Sequence, residues 1–344
     1  MTGTAPRRCF DMKLRILFCG FRHGHINSLY KKVAQSDIAC VAGCFEEDST
    51  ARDAARLSLG AEFSERSYDE WLKDEGVDAV AIGLAYGDRG EAVIKALEAG
   101  KHVIADKPLC TSLSQLDRIA RLAADKGLRV GCMLDLRYLP QTLRAKELLS
   151  SGELGEIRNV SFNGQHCLNY GTRPSWYFEE GKHGGTVNDL AIHGIDLVRM
   201  LTGEEFARTD GVRLWNSYAT EEKAFKDSAV FMARLGNGAE VMADVSYSAP
   251  SQVFSMPTYW EFRFWCDKGL LTFNYVNNTV TVYKDGEDTA VYEGSESRGE
   301  HLEEFVKEIN EGGRAMTENT LASTRAALLI QAEADRIAGG ENEI

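Results

Sequence analysis

The sequence has no Cys-x-x-Cys pair, although it carries eight cysteines. Cys9, Cys19, Cys40, Cys44, Cys110, Cys132, Cys167 and Cys266 lie singly, several inside apolar runs such as Arg15-Ile-Leu-Phe-Cys19 and Val130-Gly-Cys132. That pattern argues against a disulfide framework and for buried free thiols in a reducing cytoplasmic setting. No stretch approaches the roughly 20 consecutive apolar residues that cross a bilayer. The opening Met1–Asp11 lacks the apolar run of a signal peptide. Residues 1–12 read as a poorly ordered lead-in, with Met12 as an alternative start. Internal repeats, low-complexity tracts and charge blocks are also missing. Positive charge is scarce: 39 Lys and Arg face 52 Asp and Glu, a formal net charge of −13. Such a surface repels phosphate backbones and anionic lipid, which argues against nucleic-acid and membrane partners.

What is present is an ordinary globular composition. Hydrophobic residues make up 44% and charged residues 26% of 344 residues, a length that suits two domains. Up to Met133, short apolar runs alternate with helical patterns. The runs at 14–19, 38–44, 77–84, 102–105 and 128–133 are apolar nearly throughout, as buried parallel strands are. Glu91–Ala99 and Leu113–Lys126 read as helices stopped by Gly100 and Gly127. After Pro140 the pattern changes to alternating strands at 157–162, 229–235, 239–246, 261–265 and 270–283. One long helix at about 185–201 interrupts them, and helices at 301–309 and 321–338 close the chain. The expected fold class is α/β: an N-terminal Rossmann doubly wound parallel sheet over 13–135, then a C-terminal α/β domain with an open, mostly antiparallel sheet over 136–338.

The first strand–turn–helix, Leu14-Arg-Ile-Leu-Phe-Cys-Gly20-Phe-Arg-His-Gly24-His, sits where a Rossmann fold holds a pyrophosphate. Gly20 fits the tight-turn glycine. Arg22 stands at the second glycine position and His25 at the third, with Gly24 one place early. The loop is therefore a degenerate dinucleotide site, and a βα turn that binds nothing is its plainer reading. Phe21, Arg22 and His23 join Gly20 and Gly24 as candidate cofactor contacts. Glu46, after the second strand, is the expected acceptor of ribose hydroxyls, which favours NAD; Arg22 leaves NADP open.

A later strand delivers Lys107 to the carboxyl edge of the sheet, where doubly wound folds bind ligands. The segment Ala96-Leu-Glu-Ala-Gly-Lys-His-Val103 followed by Asp106-Lys107-Pro108 resembles the Gfo/Idh/MocA oxidoreductases, which carry Glu-Lys-Pro there. Gly184-Gly-Thr-Val-Asn-Asp189-Leu-Ala-Ile-His193-Gly-Ile-Asp196 is similar to that family's second signature. Gly152-Glu-Leu-Gly155 and Phe262-Arg-Phe-Trp-Cys-Asp-Lys-Gly269 extend the resemblance from residue 13 to about 338. Read without the family, Asp189, His193 and Asp196 form one helical stripe, and Asp189 lies one turn from His193, placed to orient its imidazole.

The resemblance implies an NAD(P)-dependent oxidoreductase acting on a secondary hydroxyl of a sugar, polyol or inositol-like substrate. Lys107, Asp189 and His193 would be catalytic, with His193 as base, Asp189 orienting it and Lys107 holding the hydroxyl oxygen. Leu84, Ala85, Tyr86, Asp106, Lys107 and Arg137 would add cofactor contacts. Trp176 and Tyr177, with Lys107, Asp189 and His193, would face substrate, the Trp176 indole as a wall for a sugar face. A His166/His183/Asp189/His193 zinc site is the minor alternative, and no metal is expected. A redox-assisted epimerase, lyase or glycosidase with retained NAD, or a non-catalytic sugar or cofactor sensor, are the rival functions. Trp215, Tyr259, Trp260 and Trp265 on the second sheet suggest an oligomer interface there, and the resemblance implies a homodimer or homotetramer built through it.

Overall fold

The computed structural model of the protein describes residues 13–297 and 299–340. The lead-in at 1–12, with Cys9 and Met12, lies outside the described residues. Five short strands, Leu14–Cys19 (β1), Ala39–Phe45 (β2), Ala79–Ile82 (β3), His102–Ala105 (β4) and Val130–Cys132 (β5), form one sheet in the order β2-β1-β3-β4-β5. All its pairings are parallel. β3 and β5 are buried along their whole length, which is why they read as continuous rather than alternating apolar runs. Helices Gly24–Gln35 (α1), Ser49–Leu59 (α2), Tyr68–Leu72 (α3), Tyr86–Glu98 (α4) and Leu113–Asp125 (α5) connect the strands. Asp48, Ser67 and Ser112 cap α2, α3 and α5 by accepting from backbone N–H groups in the first turn. In this strand order the direction of winding reverses between β1 and β3, and the crevice at their carboxyl ends is the natural ligand site.

Helix Pro140–Ser150 (α6) leads into the second half. It comprises Ile157–Gln165 (β6), Ile192–Thr202 (α7), Phe206–Trp215 (β7), Ser228–Leu235 (β8), Glu240–Ser246 (β9), Phe262–Cys266 (β10), Gly269–Phe273 (β11), Thr279–Lys284 (β12) and Ala290–Glu293 (β13). The sheet order is β13-β12-β11-β10-β6-β9-β8-β7, antiparallel except for the parallel β6–β9 pair. One face packs and one is free: in β8, Phe231 is buried while Met232 is 53% exposed. No helix among the described residues is long and apolar enough to cross a membrane.

Three expectations change. β7 was not anticipated, because its Arg, Thr, Asp and Gly residues hide the alternation and two register shifts interrupt its pairing with β8. The run at 270–283 is two strands; the Asn274 side chain accepts from the Val276 and Asn277 N–H groups and turns the chain between them. The last helix begins at Ala315 rather than 321, because Glu308 of the preceding helix His301–Glu311 (α8) caps it, accepting from Met316 and Thr317 N–H. Residues of α8 and of this helix, Ala315–Gly340 (α9), return to the first sheet. Leu302, Phe305, Val306 and Met316 share one apolar cluster with Ile16, Phe18 and Ile104.

Candidate active site

β4 ends in Asp106-Lys107-Pro108 at the crevice. Arg89 of α4, fully buried, holds this turn from behind. Its Nη1 donates to the Asp106 and Lys107 carbonyls at 2.8 and 2.5 Å, its Nε to the Leu84 carbonyl at 2.8 Å, and its Nη2 to Asp106 Oδ2 at 3.2 Å. Sequence reading passed over Arg89, whose position on a helix gives no sign of burial.

The second half supplies Asp189 and His193. The expected single helix at 185–201 is instead a five-residue π-helical turn, Val187–Ala191, followed by α7. Gly184 and Gly185 both have positive φ, and a Cβ on Gly185 would stand 2.1 Å from the Gln331 side chain, which also accepts from Val187 N–H. A π turn takes more residues than an α turn, so residues four apart no longer stack. Asp189 therefore does not orient His193. Its Oδ1 receives Lys107 Nζ at 2.5 Å, its backbone carbonyl receives the same ammonium at 3.0 Å, and its Oδ2 receives the Tyr247 hydroxyl. His183 Nε2 lies 3.4 Å from Oδ2. His193 Nδ1 has no hydrogen-bond partner among the described residues; its ring stands edge-on to Trp260 at 5.7 Å. Asp196 belongs elsewhere, bound to Asn319 and Ser323 of α9.

Lys107, Asp189 and His193 line one cavity of about 310 Å³ together with His25, Trp260 and Arg173. Burial alone would raise the Asp189 carboxyl, but Lys107 and His183 beside it hold it well below the usual carboxylate range. Burial, and then Lys107, keep His193 well below the ordinary imidazole value, and His166 is pushed down to about 3 for the same two reasons. Both rings are neutral in the fold and gain a proton in the unfolded chain below about pH 6.5. The unfolded state then binds more protons, so stability falls as pH drops through this range. Denaturant titrations should show up to about 3 kcal/mol less stability at pH 5 than at pH 6.5. A flat profile would contradict the neutral histidines.

On the cofactor side, α1 begins at Gly24, where an added Cβ would meet nothing within 4 Å, and His23 at its N-cap makes no side-chain capping bond. Free N–H groups facing open space suit a pyrophosphate. Gly20 is needed by packing: at φ +90° its Cβ would stand 2.6 Å from the Leu84 nitrogen. Other assignments shift. The Phe21 ring is buried among Phe18, Tyr30 and Phe63. Glu46, with no exposed side-chain surface, accepts from Phe21 N–H at 2.7 Å and from Arg22 Nε and Asp48 N–H at 2.9 Å, so its carboxylate is held by the loop. The cation at the second glycine position draws it inward. Ala85 and Tyr86 are buried and Leu84 is partly exposed; Tyr86 bonds the Tyr177 hydroxyl at 2.7 Å. Arg137 pairs with Asp196 at 3.4 Å and does not line the cavity. Trp176 is packed behind Tyr86 and Tyr177, so the aromatic wall falls to Tyr259 and Trp260, which the sequence had placed on the oligomer face.

The four-residue zinc set is not assembled. Among the described residues, the group of ligand-type side chains close enough to share an ion is His23, His25 and Asp106, within 4.8 Å of one another. There Asp106 is paired with His23 Nδ1 at 2.8 Å and with Arg89. Burial would raise its carboxyl; His23, Arg89 and His25 hold it well down.

Residues 14–133 match the model of an oxidoreductase family with an NAD-binding Rossmann fold, and residues 142–272 match the GFO/IDH/MocA C-terminal domain. The chain belongs to the Gfo/Idh/MocA family. It is 30% identical to scyllo-inositol 2-dehydrogenase (NAD(+)) of Bacillus subtilis over 66% of this chain and 64% of that one. It is also 30% identical to levoglucosan dehydrogenase of Pseudarthrobacter phenanthrenivorans over 48% of this chain and 43% of that one. The chain thus spans less than two thirds of the length of these curated relatives. A solved structure of levoglucosan dehydrogenase with NADH and levoglucosan superposes with a TM-score of 0.78 at 19% identity, over 94% of this chain and 97% of the other. That likeness is one of fold. Within the family's two-part architecture, the Lys107–Asp189 pair joins the two matched regions.

Proposed function

We propose that the protein is an NAD(P)-dependent oxidoreductase that moves hydride between a secondary hydroxyl of a sugar, polyol or inositol-like substrate and nicotinamide. One observation carries the reading: a Lys107–Asp189 ion pair and a neutral His193 share one cavity at the carboxyl edge of the Rossmann sheet. The nicotinamide, when bound, supplies the hydride acceptor. His193 takes the hydroxyl proton on its neutral imidazole. The Lys107 ammonium, fixed by Asp189, Tyr247 and His183, stabilises the developing alkoxide. Asp189 thus serves Lys107, not His193. The α1 N-terminus holds the pyrophosphate, with Arg22 and His23 beside it. A regulator that only senses sugar has no need of this acid–base set.

The test is NAD⁺ and NADP⁺ reduction by the purified protein against a panel of sugars, polyols and inositols. Substrate-dependent reduction supports the reading. Conversion without net NADH, with nucleotide retained through purification, replaces it by redox-assisted chemistry.

A second copy of the chain is the proposed partner, docked on the free face of the second sheet. Met232, Met242, Trp265, Tyr283 and Val291 are all more than 40% exposed on its strands. The double variant Met232→Asp, Trp265→Glu should run as a monomer in light scattering while the parent runs larger. A monomeric parent ends the idea. The seven free cysteines among the described residues fit a cytoplasmic protein.

A further inference from the structure

The charges lining the cavity are unequal in one respect. Lys107 is matched by Asp189. Asp135 lies 3.0 Å from His301 Nδ1. Arg173 has no carboxylate within 4 Å among the described residues. Its guanidinium is nevertheless held rigidly. Nε donates to the Leu168 carbonyl at 2.8 Å and Nη2 to the Cys167 carbonyl at 2.6 Å, while Nη1 has no partner among the described residues. The plane stacks over Tyr177 at 4.6 Å and Tyr247 at 5.8 Å. Tyr247 in turn bonds Asp189, so one aromatic ring separates Arg173 from the acid–base pair.

A guanidinium keeps its charge throughout the working pH range and binds planar anions through paired N–H groups. Arg173 is partly exposed at the cavity wall, with its Nε and Nη2 committed to carbonyls and its Nη1 open to an anion. A purely structural arginine, holding the 167–173 loop, would need its two carbonyl bonds but no place in the cavity lining. The neighbouring imidazole of His166 does not compete for an anion, since it is neutral; Asp135 lines the same cavity but lies 3.0 Å from His301 Nδ1.

We propose that the substrate is a sugar acid, whose carboxylate binds Arg173 while a ring or chain hydroxyl reaches Lys107 and His193. The inference takes the location of the site from the oxidoreductase reading but concerns binding alone.

The experiment measures binding by calorimetry to the protein saturated with NADH. The probes are D-glucuronate, D-galacturonate and D-gluconate, each against its neutral parent, and D-glucuronate also against its methyl ester, which has nearly the same shape without the charge. At least one acid should bind tenfold or more tightly than its neutral counterpart. Arg173→Gln should remove that preference and Arg173→Lys should restore part of it. If no acid exceeds its counterpart, or if the preference survives in Arg173→Gln, the proposal is overturned. If Arg173→Gln does not fold, the acid-against-ester comparison in the parent protein decides alone. Acid binding without any nucleotide reduction would sink the oxidoreductase reading and leave this one standing.

Discussion

Lys107→Met should lose at least about a thousandfold in kcat/KM, with dinucleotide affinity changed little. The ammonium has two parts in the proposed mechanism: it lines the cavity where the hydroxyl oxygen would sit, and it neutralises Asp189. Removing a group that stabilises developing charge in a site shielded from water costs two to three orders of magnitude, and losing the acid–base partner adds to that. Asp189 would then be a buried carboxylate without its cation. Its carboxyl would rise toward and beyond the ordinary value, because burial is no longer offset by the ammonium. Breaking such a pair costs about 3–5 kcal/mol. Tyr247 and His183 still reach Oδ2, so the lower part of that range is expected. Steady-state kinetics, urea denaturation and nucleotide titration on the same preparation separate the two effects. Turnover within tenfold of the parent would remove Lys107 from the chemistry.

Arg89→Met should be the most destabilising change at the site although Arg89 does not line the cavity. The substitution leaves the carbonyls of Leu84, Asp106, Lys107 and Pro108 without their donor. It also leaves Asp106 with only histidines for counter-charge. Methionine fills much of the volume but donates nothing. A loss of about 3–5 kcal/mol is expected, read as a fall in the urea midpoint. Turnover should fall with it, because the Asp106–Pro108 turn that aims Lys107 loses its brace. A stability loss under about 1 kcal/mol would show that the turn is held by other means.

The two variants divide the site into a part that was legible in the sequence and a part that was not. Lys107 could be found because a buried apolar strand leads to it and Pro108 stops that strand; both are local facts. The five-stranded sheet was legible for the same reason, since each buried strand is a short apolar run between helix signals. Arg89 gave no such signal. It sits in Tyr86-Gly-Asp-Arg89, a stretch polar enough to read as a surface loop, and its burial is created by the carbonyls of a turn 17–19 residues away.

The misreading of Asp189 is the most instructive. Spacing of four on an α-helix does place two side chains on one face. The spacing was real, but the helix was not α there, because Gln331, about 140 residues later, captures the Val187 N–H and helps start a π turn. The partners of Glu46 were hidden for a comparable reason: Arg22 and the Phe21 and Asp48 N–H groups bind its carboxylate. Trp176, expected at the substrate, is packed against Tyr86 and Tyr177, whereas Trp260, expected on the oligomer face, is buried and lines the cavity, because the position of an aromatic residue depends on which sheet face and which loop cover it.

The sequence by itself determined the kind of fold, the family and the chemical types of the groups proposed for catalysis, since apolar periodicity and short motifs are local along the chain. Which carboxylate serves which cation, which nitrogen is left unpaired and which arginine lines the cavity were decided only by tertiary structure. Those are distances of a few ångströms between residues tens to hundreds of positions apart, set by how helices, sheet and turns pack, and no local pattern encodes them.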